Sequence, residues 1–236
     1  MPEVPIHYVG DSSWCPYGNK TPEVICGRVF QITDHLIESG ATHIVIACNS
    51  ATIHAVGALR AAYPIPVVGM EPGIKPAAEQ TATGVVGVLA TEASIAGEKF
   101  HQLLSSHADG VKVITRPCPR FVELVEAGIL TGPEVETAVN EAITPLIEAG
   151  ADVIVLGCTH YPFLLEIIRA QLPDQVKVID TGLAVAKRVQ SLLPSSPVVS
   201  QPTTTRIETT GSLDHLNEIL PLLLPAIPAE TSLCPL

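Results

Sequence analysis

The strongest constraint on the fold of this chain is an ungapped internal repeat of thirteen residues. Residues 36–48 read LIESGATHIVIAC and residues 146–158 read LIEAGADVIVLGC, with eight of the thirteen positions identical. Each copy has the pattern of a helix end, a capping glycine, a buried strand and then a cysteine. Because open α/β sheets bind ligands at the carboxyl ends of their strands, the repeat predicts two similar α/β lobes with one thiol on each side of a shared cleft.

The rest of the chain alternates short apolar strands with helical segments. The predicted strands are 4–9, 44–47, 67–68, 84–89, 111–114, 153–156, 176–179 and 206–210, and the clearest helices are 21–39, 50–62 and 213–224. This alternation is typical of right-handed βαβ units around parallel sheets. We therefore predict the α/β class, with two doubly wound lobes.

Composition excludes several classes of function. Lys and Arg total 13 against 24 Asp and Glu, a net charge of -11 that repels nucleic acids and anionic membranes. There is no apolar run of the roughly 20 residues needed to span a bilayer, and the first thirty residues lack a secretory hydrophobic region, so we expect a cytoplasmic protein. The six cysteines form no C-x-x-C pair, which favours reduced thiols.

The residues after the two repeat cysteines indicate acid/base chemistry. Cys48 and Cys158 are each followed by small polar residues and a predicted helix start. The free N–H groups and positive dipole end of a helix N-terminus lower the pKa of a thiol and can hold a carboxylate. Two such thiols on opposite sides of a substrate carbon would remove a proton from one face and return it to the other, which inverts the configuration.

Other interpretations of the two cysteines stay open at this point. A single cysteine after an apolar strand is most often a small buried hydrophobe, although a matched pair makes this less attractive. Zinc binding by Cys48, Cys158 and His160 matches no compact ligand motif. A Cys–His hydrolase built on Cys158 and His160 leaves the duplicated Cys48 unexplained.

A set of short motifs carries a resemblance to a known family over essentially the whole chain. The motifs are, in order, Pro16-Tyr17-Gly18, Ala47-Cys48-Asn49-Ser50-Ala51, residues 64–69 leading to Glu71-Pro72-Gly73, Thr91-Glu92-Ala93, residues 121–128, residues 156–162, Asp180-Thr181-Gly182 and Thr209-Thr210-Gly211. On these residues the chain resembles the glutamate racemases, cofactor-independent members of the aspartate/glutamate racemase superfamily that supply D-glutamate for peptidoglycan. At position 160 the chain resembles the glutamate enzymes, since aspartate racemases more often carry an acidic residue in place of His160.

The resemblance implies roles for individual residues. It implies that Cys48 and Cys158 are the acid/base thiols, that His160 supports Cys158, and that Glu126 lies near this second thiol. The positions that match substrate contacts are Tyr17, Gly18, Asn49, Ser50, Thr91 and Thr159. Alternative roles are a solvated helix carboxylate for Glu126, a packed turn aromatic for Tyr17 and a helix cap for Thr91.

The resemblance also implies the domain organisation and the partners. We expect residues 1–69 and 182–236 to form the first lobe, with Cys48, and residues 70–181 to form the second, with Cys158. The expected partner is glutamate as substrate, with no cofactor, no metal, no nucleic acid and no membrane, and a homodimer is a further expectation.

The sequence departs from the family at its start. Family members begin with a further strand that ends in an Asp-Ser-Gly loop, followed by a helix, and this chain has neither. We therefore expect the first lobe to lack its first strand and Cys48 to lack the family's assisting aspartate, for which Asp11 is not a replacement. The prediction is an enzyme that interconverts L- and D-glutamate. The alternatives are a truncated, catalytically weak or silent remnant, or another racemase of the superfamily.

Overall fold

The computed structural model of the chain describes residues 4–194 and 204–236. Its strands are β1 (His7–Gly10), β2 (Ile44–Ile46), β3 (Val67–Gly69), β4 (Val85–Ala90), β5 (Lys112–Pro117), β6 (Val153–Gly157), β7 (Lys177–Ile179), β8 (Thr205–Thr209) and β9 (Ala229–Leu233). All eight predicted strands are confirmed. The sequence did not predict β9, because its residues AETSL lack an apolar pattern.

The helices separate most of these strands, as the sequence predicted. They are α1 (Pro22–Glu38), α2 (Asn49–Ala62), α3 (Ile74–Gln80), α4 (Glu92–Ala96), α5 (Glu98–His107), α6 (Pro119–Glu126), α7 (Pro133–Glu148), α8 (Leu165–Gln171), α9 (Gly182–Leu192) and α10 (Leu213–Leu223). Two 3₁₀ turns, Tyr17–Asn19 and Tyr161–Leu164, follow the loop after β1 and the loop after β6. No helix in the described part of the chain is both long enough and apolar enough to cross a membrane.

The strands form three sheets in which every neighbouring pair is parallel. The orders are β5-β4-β6-β7, β1-β8-β9 and β2-β3. The first sheet lies within the proposed second lobe, and the other two lie within the proposed first lobe. The α/β class with parallel sheets is confirmed, whereas the residue limits of the two lobes remain a proposal.

The four-stranded sheet is covered on both faces, which explains its continuous apolar strands. In β6, Ile154 and Leu156 pack into a cluster with α6, α7 and α8, while Val153 and Val155 pack into a cluster with α3 and α5. All five residues of β6 are buried. A third cluster joins α1 and α2 to β2 and β3.

The two copies of the repeat have the same local geometry. Gly40 and Gly150 both take a left-handed conformation, with φ of +94° and +89°. In each copy the amide of the alanine after the glycine donates to the leucine carbonyl five residues earlier, at 2.9 and 3.0 Å. This pattern is a Schellman cap, which ends the helix and directs the chain into β2 in one copy and into β6 in the other.

Candidate active site

The cysteines of the two repeat copies line the same cavity, which has a volume of about 250 Å³. Cys48 is the N-cap residue of α2, two residues after β2, and Cys158 directly follows β6. Every residue predicted to act in catalysis or substrate binding lines this cavity, namely Tyr17, Gly18, Cys48, Asn49, Ser50, Thr91, Glu126, Cys158, Thr159 and His160. Residues from distant parts of the sequence therefore meet at one site.

Cys158 is connected to a carboxylate through an imidazole. Its Sγ lies 3.7 Å from Nδ1 of His160, and Nε2 of His160 lies 2.6 Å from Oε1 of Glu126. The hydrogen bond with His160 lowers the pKa of Glu126 against the opposing effect of burial. The chain of contacts can therefore move or hold a proton at the sulfur of Cys158.

The end of α6 that carries Glu126 is held by α10. The Nε2–H of His215 donates to the main-chain carbonyl of Glu126 at 2.8 Å. Sequence reasoning did not select His215, since nothing local to α10 indicates that its imidazole reaches the end of a helix 89 residues earlier.

The pKa values of both thiols are raised, so the sequence-based expectation of lowered thiol pKa values was wrong. Burial raises the pKa of Cys158 to about 12, against the lowering effect of the His160 amide. Burial also raises the pKa of Cys48, although the amides of Ala51 and Ser50 lower it. The N–H groups act in the predicted direction, but the loss of solvation outweighs them.

The helix predicted directly after Cys158 is also wrong in detail. Cys48 caps the fourteen-residue α2, whereas Cys158 is followed by the 3₁₀ turn Tyr161–Leu164 before α8 begins. The two thiols also differ in their polar neighbours. Cys158 faces an imidazole, while for Cys48 the neighbouring donors among the described residues are the amides of Ser50 and Ala51 and the hydroxyl of Ser50.

A buried group of hydroxyls lies beside Cys48. Ser50 Oγ is 2.8 Å from Thr91 Oγ1 and 3.2 Å from Ser94 Oγ. Thr91 also accepts from the Ser94 amide at 3.2 Å, so the capping role considered for Thr91 is present together with its place in the cavity wall. A Cβ at Gly18 would lie 3.0 Å from Thr91 Cβ, a close approach that favours glycine.

The side chains at the remaining predicted substrate-binding positions differ in their hydrogen-bond partners. The side-chain amide of Asn49 donates to the main-chain carbonyl of Met70 at 3.2 Å. The Tyr17 hydroxyl donates to Asp11, so Tyr17 is tied to its own loop as well as lining the cavity. Thr159 lines the cavity next to Cys158.

Asp11 organises this side of the cavity, a role that sequence reasoning missed. Its carboxylate accepts from Arg28 Nη2 at 2.7 Å, from Arg28 Nε at 2.9 and 3.0 Å, and from Thr210 Oγ1 at 2.9 Å. Burial opposes the ionisation of Asp11, but the bonds from Arg28, Tyr17 and Thr210 outweigh it and lower the pKa. The signal available in the sequence was the Thr209-Thr210-Gly211 motif, which brings Thr210 to this loop.

A third thiol lies in the cavity wall. Cys15 Sγ is 3.5 Å from Glu126 Oε1, and burial together with the nearby Glu126 charge raises the pKa of Cys15. Cys15, Glu126 and His160 form one of two groups among the described residues whose spacing suits a metal ion. The zinc set considered from the sequence was a different one, Cys48 and Cys158 with His160.

The cavity offers mainly neutral donors to an anionic ligand. No Lys or Arg is among the described residues that line it. Main-chain amides at the start of α2 and the surrounding hydroxyls are therefore the groups available for a carboxylate.

Comparison with known proteins places the chain in a family. The family model described as Asp/Glu/Hydantoin racemase matches residues 1–189. The glutamate racemase of Ectopseudomonas mendocina (strain ymp) is 45% identical over 227 residues, which are 95% of this chain and 86% of that protein. The glutamate racemase of Herpetosiphon aurantiacus is 48% identical over 203 residues, 86% of this chain and 80% of that protein.

Solved structures give the same result. The Escherichia coli glutamate racemase in complex with L-glutamate and the activator UDP-MurNAc-ala has a TM-score of 0.87 at 31% identity, covering 98% of this chain and 88% of that one. The Francisella tularensis glutamate racemase in complex with D-glutamate has a TM-score of 0.84 at 27% identity, covering 99% and 89%. By sequence and by fold, this chain belongs to the Asp/Glu/hydantoin racemase family.

Proposed function

We propose that this chain interconverts L-glutamate and D-glutamate without a cofactor, and that it supplies D-glutamate for peptidoglycan. Family membership and the two glutamate racemases at 45% and 48% identity support this reaction and this substrate. The observation that carries the proposal is that the cysteines of both repeat copies line one cavity.

The proposed reaction is a proton transfer at the α-carbon of glutamate. One cysteine, as thiolate, removes the α-proton and becomes a thiol, and the electron pair stays on the substrate as a carbanion. The other cysteine, as thiol, then donates its proton to the opposite face and becomes a thiolate. By resemblance to the family, Cys48 serves D-glutamate and Cys158 serves L-glutamate.

Burial makes both thiolates stronger bases than the thiolate of an exposed cysteine, because it raises the pKa of Cys48 and of Cys158. Such a thiolate is costly to form, so a neighbouring proton acceptor is needed. His160, oriented by Glu126, lies in position to take this proton.

We propose that neutral groups hold the substrate. The amides at the start of α2 and the hydroxyls of Ser50 and Thr91 would bind one carboxylate near Cys48. The other proposed contacts are Tyr17, Gly18, Asn49 and Thr159.

The test is racemisation followed by circular dichroism from each enantiomer, with Cys48→Ser and Cys158→Ser. We expect each variant to lose nearly all racemisation, because a serine hydroxyl is a far weaker acid than a thiol. In D₂O each variant should still exchange the α-proton of one enantiomer, a different one for each variant. Full racemisation by either variant would contradict the two-thiol mechanism.

Two controls separate loss of chemistry from other causes. Cys26→Ser changes a partly buried cysteine that does not line the cavity, and we expect it to keep full activity. Aspartate serves as the control substrate, and faster racemisation of aspartate than of glutamate would favour another racemase of the superfamily.

Three further proposals, on the lobes, the location and the oligomeric state, accompany this function. We propose that residues 70–181 form one lobe and that residues 1–69 with 182–236 form the other. The reduced thiols that the mechanism requires support a cytoplasmic location. We also propose that the protein forms a homodimer, which light scattering of the purified protein would test.

A further inference from the structure

A second group of titratable side chains converges where β1, α1 and β8 meet. His7 is on β1, His35 is in the last turn of α1, and Glu208 is on β8. Oε2 of Glu208 lies 2.6 Å from Nε2 of His35 and 3.1 Å from Nε2 of His7. The parallel register of β1 and β8 sets Val9 opposite Glu208, so the side chains of His7 and Glu208 share one face of the sheet.

One of the converging atoms has no hydrogen-bond partner. Nε2 of His7 is buried and makes no hydrogen bond in the described part of the chain, although it points at a carboxylate oxygen. Glu208 is only 2% exposed, and its other oxygen, Oε1, is taken by Arg206. Oε2 accepts a hydrogen bond from Nε2 of His35 and also faces Nε2 of His7, a buried nitrogen that is costly to leave without a partner.

We propose that His7, His35 and Glu208 bind a divalent transition-metal ion such as Zn²⁺. Two imidazole nitrogens and a carboxylate oxygen are ligands that Zn²⁺ accepts, with water completing a tetrahedral site. An ion would bind Nε2 of His7, which otherwise has no hydrogen-bond partner in the described part of the chain. It would also lie between Oε2 of Glu208 and the two imidazoles, which both approach this oxygen. Arg206 keeps Oε1 occupied, which leaves the carboxylate to bind the ion through one oxygen.

The geometry needs only a small adjustment. Ligand atoms about 2.0 to 2.1 Å from a tetrahedral ion lie about 3.3 Å apart. Oε2 of Glu208 lies 3.1 Å from His7 and 2.6 Å from His35, so His35 has to withdraw by a fraction of an ångström, and all three ligand atoms lie within 4.8 Å of one another. His7 also lines the cavity, which provides a route for the ion.

Bound metal would join three elements that are far apart in the chain. The native fold alone brings β1, α1 and β8 together at this point, so the ion stabilises the folded state. At a metal concentration of about 100 times Kd, we expect the melting temperature to rise by about 5 to 10 °C.

The test uses Co²⁺ and Zn²⁺ added to the chelator-treated chain of residues 1–236. Co²⁺ is the spectroscopic probe, because binding to thiolates produces an intense near-ultraviolet band that a site of nitrogen and oxygen ligands lacks. We expect one equivalent to bind with a visible ligand-field band and without a thiolate band at this site. His7→Asn and His35→Asn should each weaken binding at least about tenfold and remove the thermal shift.

Matched variants separate this site from the rest of the protein. His107→Asn changes an exposed histidine, and Cys15→Ser removes the thiol of the group formed with Glu126 and His160. Both should keep the Co²⁺ site. Binding that survives His7→Asn but is lost in Cys15→Ser would overturn the proposal, as would the absence of any stoichiometric binding to the parent protein. Because His7 is at the edge of its sheet, His7→Asn should fold, which circular dichroism verifies.

Discussion

At the scale of residues, the two thiols are equivalent in the repeat but not in their surroundings. Cys158 has an imidazole and a carboxylate behind it, and Cys48 has amides and a hydroxyl. In the proposed mechanism Glu126 acts through His160, which makes Glu126 a positioning residue. Replacing Glu126 by glutamine would remove its charge and keep its shape.

We predict that Glu126→Gln lowers kcat about 100-fold with a small change in KM. Glutamine keeps the size of the side chain but removes the negative charge that favours a proton on His160. Because L- and D-glutamate have equal free energies, kcat/KM must fall by the same factor in both directions. Glu123→Gln, on the exposed side of the same helix, is the matched control and should keep full activity. Equal kcat for Glu126→Gln and the parent would exclude the proposed role of Glu126 in proton transfer through His160.

The Glu126→Gln variant should also change how the stability of the folded protein depends on pH. The pKa of Glu126 is lowered in the folded protein, so its ionised form contributes stability above the ordinary value of 4.5. That stability is lost as the pH falls from 4.5 through the folded pKa. Thermal melts between pH 7 and pH 3 should therefore show a smaller acid-side loss for Glu126→Gln than for the parent.

At the scale of elements, the repeat produces the same helix end twice. Gly40 and Gly150 have positive φ, and a Cβ added to either would meet no atom within 4 Å. The requirement for glycine is therefore conformational rather than steric. This distinction makes the two positions a matched test of the cap.

We predict that Gly40→Ala and Gly150→Ala each destabilise the fold by about 1 to 2 kcal/mol. For a chain of this size, that lowers the melting temperature by about 2 to 8 °C. Gly57→Ala is the control, since Gly57 lies inside α2 with free space around it and alanine favours a helix. It should leave stability equal or increased. Unchanged melting of both Gly40→Ala and Gly150→Ala would contradict the assigned caps.

At the scale of the whole molecule, the sheets differ in how completely they are paired. β4 is hydrogen-bonded on both sides, by β5 and by β6, and its last five residues are buried. Within the described residues β1 pairs only with β8, and β2 only with β3. Tyr8 on β1 and Val45 on β2 are 49% and 41% exposed, and both line the cavity.

We predict that amide hydrogen exchange is slowest in β4 and β6 and faster in β1 and β2. Strands with one unpaired side open at lower free-energy cost than strands held on both sides. Exchange followed by mass spectrometry of peptides covering 84–90, 152–158, 6–11 and 43–48 would measure the difference. Equal protection of all four peptides would show that the two proposed lobes open as one unit.

The local structure around each thiol could be predicted from short stretches of sequence. Helix ends, glycine caps and buried strands depend on side-chain period and on backbone hydrogen bonds a few residues apart, so residues 36–48 and 146–158 were enough to predict them. The family motifs also selected ten site residues, all of which line the cavity. Their catalytic and binding roles stay predictions that the variants above test.

Which distant groups meet, and how their proton affinities change, depends on the packing of the whole chain and could not be predicted from local sequence. Nothing local to Asp11 indicates that Arg28 and Thr210 bind it, and nothing local to His7 indicates that His35 and Glu208 converge on it. The predicted lowering of the thiol pKa values was wrong for the same reason. Helix amides are visible in the local sequence, but burial depends on how the whole chain packs around Cys48 and Cys158, and burial outweighed them.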